Sequence, residues 1–127
     1  PYRMYQFGFE KLEVWQEARK LTAEIYKLTA AFPEREKFGL TNQLRRASVS
    51  VAANIAEGTA RLTPKDQARF SSVAYGSLME TLSHLITSAD LGFITEQELL
   101  LVRNMIQPLS LKINNLRTTQ IRKGSKR

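Results

Sequence analysis

The sequence predicts an all-α chain folded as an antiparallel, up-down-up-down four-helix bundle. Three observations lead there. Apolar residues recur at spacings of three and four in four stretches, roughly 9–31, 40–61, 64–91 and 96–118. No segment alternates apolar and polar residues as a half-buried strand does. The connections "RLT" and "GFI", after the second and third stretches, are too short for a crossover, so neighbours run antiparallel. A chain of 127 residues makes a single domain with one core.

The first helix carries Val14, Ala18, Leu21, Ile25, Leu28 and Phe32 on one stripe. It ends at Phe32-Pro33, because proline disfavours helix at the residue before it. "PEREKFG" connects to a second stripe of Leu40, Leu44, Ala47, Val51, Asn54 and Gly58. The third helix opens on Thr63-Pro64-Lys65-Asp66, where Thr63 can cap, Pro64 suits the first helical position and Asp66 favours the positive helix end. Its stripe is Ser71, Tyr75, Leu78, Leu82, Leu85 and Ala89, and Gly92 supplies a left-handed stop. Thr95 and Glu98 form a capping box for the fourth helix, which carries Leu99, Val102, Ile106, Leu109, Ile113 and Leu116. Pro108 lies inside that helix, removes one hydrogen bond and should bend it. Residues 119–127 read as a basic tail, most simply a solvated and disordered terminus.

The second helix, "RRASVSVAANIAEGTAR", is unusually poor in charge. Between Arg46 and Arg61 it holds Glu57 alone, and Val49, Ala53, Ala56 and Ala60 lie away from its core stripe. The first helix adds a second apolar strip of Leu12, Trp15, Ala23 and Tyr26. A single bundle cannot cover all these faces, and an apolar patch of that extent favours association. The expectation is a homo-oligomer whose interface includes Leu12, Trp15, Tyr26, Val49, Ala53 and Ala56. Tolerated surface alanines are the alternative. Small residues at Ala47, Ala56, Gly58, Ala74, Gly76 and Ser77 should let the second and third helices approach closely. Asn54, on the core stripe, needs a partner, for which Ser or Thr groups of the third helix are candidates. Asn54 and Glu57 read as structural polar residues that fix helix register.

The motifs "VWQ", "FPEREKFGLTNQLRRA", "S-V-x-x-N-I-A-E-G" and "GSLMET" occur in that order, and together they resemble the four-helix-bundle family of 23S rRNA intervening sequence proteins over roughly residues 9 to 116. The resemblance implies a left-handed bundle assembled as a ring, typically a homopentamer; the number five comes from the family alone. It implies no enzymatic activity. Family members are encoded within ribosomal RNA genes or as free-standing genes. The architecture is also similar to the accessory variability proteins of diversity-generating retroelements, basic rings that partner a reverse transcriptase, which is an analogy only.

Chemistry is sparsely represented. The single histidine, His84, follows Glu80 by four residues, the spacing of an ordinary helix-surface pair. There is no second histidine, phosphate-binding glycine loop or metal-ligand spacing, so no catalytic residue, cofactor, metal or small-molecule substrate is expected. The absence of cysteine excludes disulfides and thiolate chemistry. No apolar run reaches membrane-spanning length, and "PYRMYQFGFE" lacks a signal peptide's apolar block, so a cytoplasmic location is the default.

The net charge of +7 is concentrated late in the chain, where residues 91–127 hold seven basic side chains against Glu96 and Glu98. Candidate contacts to RNA or DNA are Arg45, Arg46, Arg61, Lys65, Arg69, Arg117, Arg122, Lys123, Lys126 and Arg127. No recognition helix, RNA-binding fingerprint or exposed aromatic platform is visible, so binding should be to phosphates and independent of sequence. Arg45 and Arg46 could equally pair with Glu34, Glu36 or Glu57. The rival reading is a protein-binding adaptor whose charge aids solubility. A single sequence does not show whether the basic residues converge on one face.

Overall fold

The computed structural model describes residues 3–125. They form four α-helices, α1 (Glu13–Thr29), α2 (Leu40–Thr59), α3 (Pro64–Asp90) and α4 (Glu96–Ser125), with short 3-10 turns at Gly8–Lys11 and Glu34–Glu36. Each helix packs on its neighbours in chain order and α4 closes against α1, while the backbones of the diagonal pairs stand farther apart. That is the expected four-helix bundle, and no strand occurs among the described residues.

The core draws mostly on the stripes read from the sequence, although Leu40, Tyr75, Leu82, Ala89, Leu99 and Leu116 of those stripes are only partly buried. Every residue of the α1 stripe is buried, as are Leu44, Ala47, Val51, Leu78, Leu85, Val102, Ile106, Leu109 and Ile113. Removing such side chains from water supplies the main favourable contribution to folding, about 1.5–3 kcal/mol for each large one. The α3 start is also as expected: Pro64 occupies the first turn and Thr63 Oγ1 accepts a 3.1 Å hydrogen bond from the Asp66 amide. Thr95 and Glu98 exchange reciprocal bonds of 2.8 and 3.0 Å. Gly92 adopts a φ of 77°, where only glycine is unstrained.

Several elements differ from the sequence expectation. Helix α1 starts later than residue 9, because a 3-10 turn and an extended Leu12 precede it, and it ends at Thr29 with Ala30 as cap. On α2 the core position belongs to Ile55, 1% exposed, whereas Asn54 is only half-buried. A step of four from Val51 is as helical as a step of three, and the apolar residue takes the dry site. Asn54 Nδ2 donates to Ser50 O and Oγ on its own helix, and Ser50 Oγ reaches Ser77 Oγ of α3 at 2.8 Å. The link to α3 is therefore indirect. Glu57 is exposed and sets no buried register.

Close approach of α2 and α3 rests on Gly58, where an added Cβ would lie 3.2 Å from the Phe70 Cβ. Gly76 faces open space and takes no part in it. Finally, α4 continues through Pro108 and does not stop near residue 118: it is helical to Ser125. Beyond Leu116 its inward position is Gln120, buried and bonded to Ser71 of α3.

Candidate nucleic-acid interface

The antiparallel order puts the end of α2, the start of α3 and the end of α4 together. The extra turns of α4 make that junction close: a Cβ on Gly124 would lie 3.5 Å from the Lys65 amide nitrogen, in ordinary contact. A shallow groove there is lined by Lys65, Ala68, Arg69, Ser72, Ile121, Gly124 and Ser125. Arg61, Lys65, Arg69, Arg122 and Lys123, all exposed, thus belong to one end of the bundle. The α3 N-terminus adds its own partial positive charge to the same end.

Arg61 and Arg69 are held in place by the residues between them. Their guanidinium carbons lie 4.3 and 4.5 Å from the Phe70 ring centroid. Asp66 lies 2.9 Å from Arg69 and 3.7 Å from Arg61. This carboxylate offsets part of the charge of two arginines, and Glu57 lies one helical turn before Arg61. Lys65, Arg122 and Lys123 form no ion pair among the described residues, so their charge faces solvent.

Arg45 and Arg46 do not join this end. They lie about 24 Å away along α2, sixteen and fifteen residues before Arg61, at 1.5 Å per residue. Arg45 is also occupied: its Nε donates to Thr29 Oγ1 at 2.8 Å and its guanidinium covers the Tyr26 ring at 4.6 Å. Neither Arg45 nor Arg46 forms the expected ion pair with Glu34, Glu36 or Glu57 among the described residues. Arg117 lies over Tyr75 at 4.5 Å and donates to Asn114 Oδ1 at 2.7 Å. Lys126 and Arg127 fall outside the described residues.

The apolar strips expected at an interface are partly covered by the chain itself. Trp15 is half-buried, meeting the Phe9 ring edge-on at 5.0 Å with Arg19 above it, and Leu12 packs on the core. Ala56 is half-buried and shares a groove with Phe7, Phe9 and Leu12. Tyr26, Val49 and Ala53 remain exposed. Further exposed apolar residues, outside the strips read from the sequence, lie on α3 and α4, among them Val73, Ile86, Leu100, Leu111 and Ile121.

A family model, that of the 23S rRNA-intervening sequence protein, matches residues 10–115. The chain belongs to this family. The match spans α1, α2, α3 and most of α4. Among solved structures, the chain is similar to a protein of unknown function from the S23 ribosomal protein family of Bacteroides thetaiotaomicron, with a TM-score of 0.73 at 20% identity, covering 81% of this chain and 96% of that one. At that identity the likeness is one of fold. No curated protein sequence matches the chain.

His84 Nε2 lies 3.3 Å from Glu80 Oε2 on the outside of α3, with no third polar side chain bonded to either. Among the described residues no group of three His, Cys, Asp or Glu side chains is placed to hold a metal ion. No described helix is long and apolar enough to cross a membrane.

Proposed function

We propose that the protein is a non-enzymatic, ring-forming scaffold, most simply a homopentamer as the family resemblance implies, whose basic end binds the phosphate backbone of RNA or DNA without reading sequence. One observation carries the binding part: Arg61, Lys65, Arg69, Arg122 and Lys123 are gathered at one end of the bundle, with Asp66 and Glu57 as the opposing carboxylates nearby on α2 and α3. A ring would repeat this end in every subunit, and multivalency converts weak contacts into useful affinity.

The test is a salt titration of binding to RNA and DNA oligonucleotides. Each neutralised phosphate should contribute about −0.9 to the slope of log affinity against log salt on duplex DNA. Replacing Lys65, Arg122 and Lys123 by Gln should flatten that slope while leaving the helical signal unchanged, because none of the three is buried or ion-paired among the described residues. Absence of binding at low salt would overturn this reading and leave the protein-binding adaptor.

A further inference from the structure

The segment before the first 3-10 turn exposes three large apolar side chains in five residues. Met4, Tyr5 and Phe7 are 90, 80 and 61% exposed. The Tyr5 and Phe7 rings stand edge to face with centroids 5.1 Å apart. Residues two apart thus project to the same side, as in an extended chain. We propose that Tyr5 and Phe7 are stacking surfaces for unpaired bases, so that the basic end takes single-stranded nucleic acid in preference to a duplex.

This inference rests on the phosphate-binding reading and adds the base-recognising element that the sequence had not shown. The placement supports it. Phe7 shares a groove with Ala56, Thr59 and Ala60 at the end of α2, and the next residue is Arg61. The turn that follows presents Leu62, 98% exposed, between Arg61 and Lys65. Exposed rings and an exposed aliphatic side chain therefore adjoin the cationic end.

The charge around the rings fits a polyanion. Arg3 and Lys11 flank the segment, and the nearest acid, Glu10 of the 3-10 turn, has one carboxylate oxygen engaged by the Phe7 amide at 2.8 Å. A duplex hides its base faces inside the stack and would meet only the cations. A single strand offers both a phosphate chain and open π-faces, and stacking on aromatic side chains tolerates any base.

The experiment measures binding of the full-length protein to a labelled single-stranded oligouridylate and to an RNA duplex of equal length, at low salt. The wild type should bind the single strand more tightly. Tyr5→Ala and Phe7→Ala should each weaken single-strand binding about ten-fold or more, leaving duplex binding and the salt slope unchanged. Tyr5→Phe should retain wild-type affinity. Circular dichroism should be unaltered, since neither ring is in the core.

Equal wild-type affinity for both nucleic acids, with the alanine variants unchanged, would overturn the inference and spare the phosphate reading. No binding to either would remove both. A lower mass of the alanine variants in light scattering, with unchanged single-strand affinity, would reassign the rings to contact with a second copy of the chain.

Discussion

Ser71 Oγ on α3 donates a 2.6 Å hydrogen bond to Gln120 Oε1 on α4, and both side chains are closed off from solvent. The bond spans 49 residues of sequence and fastens the last turns of α4 to the start of α3. Without it, that part of α4 would have little apolar surface to bury.

Ser71→Ala should therefore leave a buried amide unpaired and cost about 1–3 kcal/mol. The double change Ser71→Ala with Gln120→Leu should restore most of the loss, since removing both partners strands neither. Denaturant unfolding measures the stabilities. Hydrogen exchange over residues 117–125 should rise in the single variant and fall again in the double one.

The same bond explains what was hard to read. Hydrophobic periodicity gives the whole α1 stripe correctly because every inward position there is apolar. It loses α4 after Leu116, since the next inward residue is Gln120, whose burial depends on a partner 49 positions away. The error matters for function. Ending α4 near residue 118 would leave it about 9 Å short of Lys65 at 1.5 Å per residue, and the basic end would not assemble. On α2, two helical registers were open after Val51, and only packing against the neighbouring helices distinguishes Ile55 from Asn54. The Tyr5–Phe7 pair gave no signal because exposure cannot be read from a short segment with no helical stripe.

Two glycines should respond in opposite directions. Gly58 is buried with the Phe70 Cβ at 3.2 Å from where its own Cβ would be, and a Cβ attached to the backbone cannot swing aside. Gly58→Val should force α2 and α3 apart and cost about 1–3 kcal/mol. Gly76 lies inside α3 with nothing within 4 Å, so Gly76→Ala should stabilise by about 0.5–1 kcal/mol through helix propensity alone. Thermal unfolding of the two variants measures both signs.

Lys112 of α4 bridges Glu13 and Glu17 of α1, the adjacent pair of helices with the least mutual contact. The hydrogen bond from Lys112, with its charge, holds the Glu13 carboxyl below its ordinary value. The bonds to Glu13 and Glu17 raise Lys112 above its own. A lowered carboxylate stabilises the fold above its unfolded pKa and loses that contribution as pH falls through the folded one. The loss should therefore begin below pH 4.5. A raised lysine contributes fully below 10.5 and loses it as pH rises beyond. In Lys112→Met both limbs should weaken. Its melting temperature should lie below wild type at neutral pH and approach it toward pH 3, an effect reduced by salt because the cluster is open to solvent at Glu13 and only partly buried at Lys112 and Glu17. Parallel curves for the two proteins would count against the bridge.

Ala53 tests assembly separately from folding. Its side chain is exposed on the protomer, on the charge-poor outer face of α2 with Val49. A glutamate there costs an isolated bundle little, since its carboxylate stays in water and Glu is a good helix former. In an oligomer that covers this face the same carboxylate would be buried without a partner, at a cost of several kcal/mol. Ala53→Glu should therefore retain the helical signal while its mass in light scattering falls from a multiple of 14.5 kDa toward 14.5 kDa. A wild-type protein that is already monomeric at micromolar concentration would remove the ring. A variant that stays oligomeric would place the interface elsewhere, with the exposed Leu100 and Leu111 face of α4 as the next surface to charge.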